Sequence, residues 1–413
     1  MKRGLVLEKH MKTDILVVHP YKHHAFHLAA GCKKSGRETK AAFPLYEKGL
    51  GYFLKYIPGK IGKKAAGYVH DELHSKDVIS SPYWQIRKLL SFLGDPMKFQ
   101  LSYDTYVAKK LETHAWQAKT IVLLQDHMPK TARAAKVAGI HLWSDQINYS
   151  YEAAERIDAH WKMLGIPRVP RDESDNIEIL GLADYITAPS TYARQKIEKL
   201  ATQSKHFSII PYGVDSRKFF KSDKKSSDSI VIFARTNSVA KGGNLFLSAL
   251  SSIGRQFIDT LKKSSLRVII LGELDSEVSR LLTELSFDQR IVFSHGAVPS
   301  LEVPKLLRQA DLFVMPSLSD SMSLACIEAM QSSLPLIITP FVGIDCFANG
   351  KMGIEIEASE ESIKNALLLA AESFEQWSDW GANAAQAAKS LSWDAYESAI
   401  AKTAKTIDFN RLN

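Results

Sequence analysis

The sequence predicts an α/β protein built from two doubly wound parallel sheets that face a cleft. Three observations carry this. Apolar strand patterns alternate with helical ones on both sides of a polar stretch, Lys221 to Ser229, reading KSDKKSSDS, and such alternation builds parallel sheets covered by helices. The chain has 413 residues, more than one core usually supports, so two domains are expected. Its apolar content of 45% and charged content of 24% are those of an ordinary globular protein. No internal repeat or low-complexity tract breaks the pattern. Sheets of this kind bind ligands at the carboxyl ends of their strands.

From the N-terminus, the first strand is Asp14 to Val18, a short continuous apolar run. It leads into HPYKHHAFHLAAGCKKSG, where His19, Lys22, His23, His24 and His27 crowd the strand end. Histidines bind metals, but no Cys or carboxylate joins this cluster, so contacts to an acceptor or a phosphate are the preferred reading. Residues 49–68, GLGYFLKYIPGKIGKKAAGY, mix aromatics with Lys55, Lys60, Lys63 and Lys64. That mixture suits an anionic membrane face or a phosphate-bearing acceptor. Pro58 and Gly59 argue against one long amphipathic helix, and a solvated basic loop is the alternative. A later strand, Thr120 to Leu124, ends in Gln125-Asp126-His127. Asp145 and Gln146 end the next one, in LWSDQINYS, and fall on the acceptor side by position alone.

In the second half, the strand Ile230 to Ala234 runs into a loop bearing Arg235 and Lys241 before a glycine-led helix. Two cations at one strand end suit a diphosphate; exposed surface charges are the alternative. The most informative run is Asp311 to Pro340, DLFVMPSLSDSMSLACIEAMQSSLPLIITP. Asp311 to Met315 reads as a buried strand, Pro316 to Ser321 as a polar loop, and Ser323 to Gln331 as a helix opened by a capping serine. Asp320 hangs over the loop. Glu328 sits among Leu324, Ala325, Cys326, Ile327, Ala329 and Met330, so its carboxylate needs a specific partner, which a ribose diol would supply. Free N–H groups around Ser321, Met322 and Ser323 suit an oxygen-rich ligand. A capping aspartate and a helix-surface glutamate are the plainer readings of the two acids. Lys241-Gly242-Gly243 lacks the eight-residue phosphate-loop pattern, and no Gly-x-Gly-x-x-Gly follows a strand, which sets aside P-loop and dehydrogenase readings.

These motifs resemble those of retaining glycosyltransferases of the GT-B class, particularly glycosyltransferase family 4, whose acidic motif is two glutamates separated by seven residues. Asp320 and Glu328 occupy the two positions. The usual Glu-Gly-Phe-Gly stands here as Asp320-Ser321-Met322-Ser323, so the first carboxylate is one methylene shorter and both glycines are gone. Further landmarks follow in the family's order. ADYITAPS at 183–190 resembles the strand and loop closing the first domain, and IIPYGVD at 209–215 the crossing into the second. LRVIILGELD at 266–275 is similar to a core strand. SHGAVPSLEVPKLLRQADLFVMPS at 294–317 resembles the base-binding turn, with Gly296, followed by a helix and strand. LSWDAYESAI at 391–400 resembles a terminal helix that crosses back. The resemblance covers residues 183–400 well and the earlier part thinly.

The resemblance implies a GT-B architecture, α/β, with Rossmann-like doubly wound domains. Residues 1–212 would form the acceptor-side domain, 213–388 the nucleotide-sugar domain, and 389–413 the helix returning to the first. It implies that Arg235 and Lys241 neutralise a departing diphosphate, that Asp320 touches sugar hydroxyls, and that Glu328 holds the ribose. Ser321, Met322, Ser323 and Gly296 would complete the donor site. His127 would stand beside the reacting sugar; a histidine merely hydrogen-bonded at a strand end is the alternative. The glycines usual after the first strand are missing. The implied activity moves a hexose from a nucleoside diphosphate sugar to an acceptor hydroxyl in cell-surface polysaccharide or glycan synthesis, on a glycan or lipid-linked acceptor. No Asp-x-Asp pair occurs, so no metal and no cofactor beyond the co-substrate is expected.

Alternatives are a nucleotide-sugar epimerase on the same scaffold and a noncatalytic nucleotide-sugar binder. A nucleic-acid partner, suggested only by a pI of about 9.1, lacks a stacking motif or recognition helix. Lys and Arg outnumber Asp and Glu in the first 110 residues, and the net +8 of the chain resides there. The three cysteines, Cys32, Cys326 and Cys346, have no ligand-like spacing, which points to free thiols in a reducing compartment. The apolar stretch Ile15 to Val18 is too short for a signal peptide, and no run of about 18 apolar residues exists. The expected location is cytoplasmic, peripheral at the inner face of the membrane.

Overall fold

The computed structural model describes residues 11–46, 53, 56, 68–91, 94–124, 128–146, 151–165, 174–201, 206–221, 229–285, 298–299 and 301–407. Lys55, Lys60, Lys63 and Lys64 of the basic segment lie outside them.

The first half runs β1 (Met11–Val18), α1 (Ala25–Lys34), β2 (Thr39–Ala42), β3 (Val78–Ile79), α2 (Pro82–Leu90), α3 (Pro96–Glu112) and β4 (Trp116–Leu124). It continues with α4 (Pro129–Val137), β5 (His141–Asp145), α5 (Tyr151–Met163), α6 (Ser174–Leu182), β6 (Tyr185–Ala188), α7 (Thr191–Leu200) and β7 (His206–Ile209). The seven strands pair in parallel in the order β3-β2-β1-β4-β5-β6-β7. Helices cover both faces, so the central strand must be apolar throughout rather than alternating. Ile15, Leu16, Val17 and Val18 of β1 are accordingly 0% exposed.

The second half runs β8 (Ser229–Ala234), α8 (Gly243–Thr260), β9 (Ser265–Ile270), α9 (Ser276–Glu284), α10 (Val303–Leu307) and β10 (Leu312–Met315). Then come α11 (Leu324–Gln331), β11 (Leu336–Ile338), β12 (Gly353–Glu355), α12 (Glu360–Glu372), α13 (Trp377–Ala388) and α14 (Trp393–Thr406). Its five strands are parallel in the order β12-β11-β10-β8-β9. Side chains of Ser190, Asp275, Ser323, Ser359 and Ser392 cap α7, α9, α11, α12 and α14, each accepting from a first-turn amide. The strands and helices foreseen around the acidic motif are present, with Ser323 as the cap.

Each sheet reverses its order once, between β1 and β4 in the first and between β8 and β10 in the second. A crevice opens at such switch points, outside the carboxyl ends of the strands. The chain passes between the domains twice, and the two passages touch. The Val214 amide donates to the Leu391 carbonyl at 3.1 Å, and Val214 and Ser392 form an isolated parallel bridge. A Cβ on Gly213 would stand 2.0 Å from the Ser392 carbonyl carbon, so only glycine allows this approach. Beyond it, α14 packs along α1 in the first domain. One apolar cluster runs continuously from Ile15 and Val17 through Tyr212 and Val214 to Phe313 and Cys326.

Candidate active site

The loops leaving β8 and β10 flank the second switch point; they carry Arg235, Lys241 and Asp320, and Glu328 stands in α11 just beyond. Arg235 follows β8 directly. Lys241 closes a 3-10 turn, Val239–Lys241, after which Gly242 takes φ +72° and starts α8. A Cβ there would lie 2.2 Å from the Pro316 carbonyl oxygen; glycine lets the Lys241 turn seat against the loop after β10. The result is a direct contact: Lys241 Nζ donates to Asp320 Oδ2 at 2.6 Å, both side chains partly buried.

Arg235 Nη1 donates to the Leu271 carbonyl at 2.7 Å. Arg235 and Glu328 are the charged walls of a cavity of about 330 Å³, with Phe233, Leu271, Val303 and Ala325 among its apolar ones. Among the described residues none donates a hydrogen bond to the Glu328 carboxyl. Burial pushes its pKa up to about 7, against the opposing pull of Arg235. Burial also pushes the thiol of neighbouring Cys326 up to about 12, with Asp320, Lys241 and Glu328 all close enough to act on it. Arg235 and Glu328 thus line one cavity, Lys241 and Asp320 pair beside it, and Cys326 lies within electrostatic range of Asp320, Lys241 and Glu328.

The loop before α11 differs from expectation in one respect. The Ser321 amide donates to Asp320 Oδ1 at 3.0 Å and the Ser323 amide to the Val342 carbonyl at 2.9 Å. These two amides are not free: the Asp320 carboxylate folds back on the first, and the Val342 carbonyl takes the second. Met322 is buried, and its sulfur receives the Tyr212 amide at 3.1 Å. His127 and Gly296 lie outside the described residues.

On the facing domain, His24 Nε2 and Asp145 Oδ2 are 2.5 Å apart, and Thr187 Oγ1 donates to the other Asp145 oxygen at 2.5 Å. Asp145 and Gln146, expected to line the acceptor side, are instead buried at 3% and 0% exposure. His24, at the start of α1, and Thr187 of β6 take the Asp145 oxygens, and Ser144 of β5 accepts from Gln146 Nε2. Tyr212, also buried, lies within electrostatic range of both Asp145 and Asp320, which places the two carboxylates on either side of the domain crossing.

Several residues that stitch the cleft carried no sequence signal. Ser190 Oγ donates to the Ser321 carbonyl at 2.5 Å. The Thr191 amide and hydroxyl donate to Asp345 at 2.8 and 2.9 Å. Arg156 donates to the Leu318 carbonyl at 3.2 Å and lies 4.1 Å from the Phe341 ring centroid. Ser190 alone stood inside a recognised motif, as its last residue.

Two Rossmann-like domains meeting at a cleft, with a C-terminal helix returned to the first, constitute the GT-B architecture. The family model described as "Glycosyl transferases group 1" matches residues 227–372, the part that holds Arg235, Lys241, Asp320 and Glu328. Sucrose-phosphate synthase from Thermosynechococcus elongatus superposes with a TM-score of 0.65 at 14% identity, covering 95% of this chain and 98% of that one. Anabaena HepE in complex with UDP-glucose gives 0.61 at 16%, covering 95% and 99%. D-inositol 3-phosphate glycosyltransferase of Paenarthrobacter aurescens is 23% identical over 54% of this chain and 57% of its own length. UDP-Gal:alpha-D-GlcNAc-diphosphoundecaprenol alpha-1,3-galactosyltransferase of Escherichia coli is 28% identical over 42% of this chain and 47% of its own. The chain spans about half the length of the curated relatives it matches.

Proposed function

We propose that this chain is a retaining glycosyltransferase that moves a hexose from a nucleoside diphosphate sugar to an acceptor hydroxyl. The observation that carries it is the Lys241–Asp320 pair across the β8/β10 switch point, with Arg235 and Glu328 lining a cavity in the same half. Two cations accompany two carboxyls, and burial pushes the pKa of one of these, Glu328, up to about 7. Arg235 and Lys241 hold the diphosphate and stabilise the charge that grows on its leaving oxygen; fixed, oriented cations do this without reorganising. Glu328, a partly buried carboxyl with no donor among the described residues, accepts from the ribose hydroxyls. Asp320, held by Lys241, accepts from the sugar. Met322 and Gly296 complete the donor side, the Ser321 and Ser323 amides being engaged within the protein, and His127 stands near the transferred sugar.

The anomeric carbon–oxygen bond breaks with its electron pair leaving on the diphosphate. The acceptor oxygen attacks the same face, and its proton passes to a diphosphate oxygen. Closure of the two domains excludes water that would otherwise hydrolyse the activated sugar.

The acceptor is a glycan or a lipid-linked one, in cell-surface glycan synthesis. The name of the E. coli relative, which specifies a diphosphoundecaprenol acceptor, and the positive charge of the first 110 residues both support this. We propose a cytoplasmic protein peripheral at the inner face of the membrane; no described helix is long and apolar enough to cross one.

The test is a thermal-shift panel of UDP-, GDP- and dTDP-hexoses, since a ligand that binds only the folded state raises its melting temperature, followed by transfer assays with the binding donor. One donor class is expected to bind, and labelled hexose to pass to a lipid-linked glycan with retained configuration. Isomerised sugar nucleotide without acceptor, or binding without turnover on any acceptor, would overturn the reading.

A further inference from the structure

Away from these charged residues, His27 of α1, His70 of the connection before β3, and Glu397 of α14 bring three donor atoms together. His27 Nδ1 is 2.7 Å from Glu397 Oε1. His70 Nε2 is 3.0 Å from that oxygen and 3.0 Å from His27 Nδ1. The sequence cluster of histidines held no carboxylate; the fold delivers one from 370 residues away.

Protons alone satisfy this triangle poorly. With a proton on each facing nitrogen, both donate to Oε1 and two N–H groups confront each other across the third edge. With one proton fewer, a nitrogen lone pair faces the carboxylate. A cation at the centre makes all three atoms ligands at once. Tetrahedral coordination at about 2.0–2.1 Å per bond spaces ligand atoms by roughly 3.4 Å, so each donor withdraws by a few tenths of an ångström.

The surroundings fix the ligands. The Trp393 ring stacks on His27 with centroids 4.0 Å apart and planes 4° apart. Lys34 Nζ holds the other Glu397 oxygen at 2.7 Å, leaving Oε1 turned toward the imidazoles. Glu397 is 3% exposed, while His27 and His70 border an open cavity of about 460 Å³ that supplies an entry path and room for a water as fourth ligand. Loading requires one local change. The Glu72 amide now points at His70 Nδ1 from 3.2 Å, and metal on Nε2 puts the ring proton on Nδ1, so this contact opens.

We propose that His27, His70 and Glu397 form a site for a divalent cation of the zinc class, which binds two nitrogens and one oxygen and clamps the returning helix α14 to α1 and the loop before β3. This site is separate from the sugar-nucleotide crevice and takes no part in transfer.

The full chain, stripped with chelator, is titrated with Zn²⁺ by calorimetry and with Co²⁺ by visible absorption. One equivalent per chain is expected, with the ligand-field bands of a four-coordinate site and a higher melting temperature. His70→Ala removes a ligand from a surface connection and is expected to weaken binding about 100-fold, the upper range for loss even of a supporting partner, with the far-UV circular dichroism unchanged. Glu397→Gln removes the buried ligand and serves as the second variant. Binding as tight as the wild type's in both variants, or no saturable binding by the wild type at millimolar metal, would overturn the proposal.

Discussion

Lys241 Nζ and Asp320 Oδ2, 79 residues apart in the chain, meet at 2.6 Å across the point where the second sheet reverses its strand order. The pair joins the group proposed to hold a diphosphate to the group proposed to hold a sugar, so the two halves of a donor are read by one connected unit. Lys241→Met is expected to lower turnover by about 10²- to 10³-fold, the scale for losing one preoriented donor. Asp320→Asn is expected to lower turnover too, yet to leave affinity for the free nucleoside diphosphate undiminished, since it releases the lysine. Initial rates and calorimetry separate the effects, and the double variant should lose less than the two single losses combined.

Glu328 sets a pH dependence of definite sign. Its pKa is about 7 in the folded protein against an ordinary 4.5, so the folded chain holds this proton more tightly than the unfolded one. The Glu328 contribution to ligand-free stability therefore falls as pH rises from about 4.5 to 7 and is flat above, by about 3 kcal/mol in all. Glu328→Gln should be the more stable protein at pH 8 without ligand and should lose donor-induced stabilisation. Wild-type donor affinity should rise through pH 7, because hydroxyls donate best to the ionised form. Denaturation and thermal-shift series at several pH values check all three.

Two glycine substitutions should have opposite signs. Gly213→Ala forces a Cβ to 2.0 Å from the Ser392 backbone, and neither passage can move without moving a domain. A loss of about 1–3 kcal/mol is expected. Gly254→Ala, inside α8 with its nearest contact at 3.8 Å, should stabilise by about 0.5–1 kcal/mol. Urea denaturation of each variant measures both.

The thiols should divide by access. Cys32 and Cys326 are buried and Cys346 is exposed; burial also holds the Cys32 and Cys326 thiols protonated. A thiol reagent is expected to label Cys346 alone in the folded protein and all three in denaturant, as counted by mass spectrometry.

The acidic loop and helix were legible because their signals are local: an apolar strand, a serine at a helix start, and an acid amid small residues. What those residues do to each other was less so. That Asp320 would take the Ser321 amide as well as the Lys241 ammonium follows from how two loops seat, which Gly242 permits but does not announce. Asp145 read as a cleft residue from its place at a strand end. Only the arrival of His24 from the start of α1 and of Thr187 from the adjacent β6 turns it inward. The pairing of Glu397 with His27 lay furthest from view, since it depends on the last helix returning to the first.

Both passages between the domains lie side by side at Gly213 and Ser392. Two backbones fastened at one place behave as a door on a single pin: the halves can swing, but they resist sliding past one another. The acidic loop lies beside that pin, since the amide of Tyr212, next to Gly213, donates to Met322 Sδ, so a swing there changes the spacing at the loop little and opens the gap progressively with distance from it.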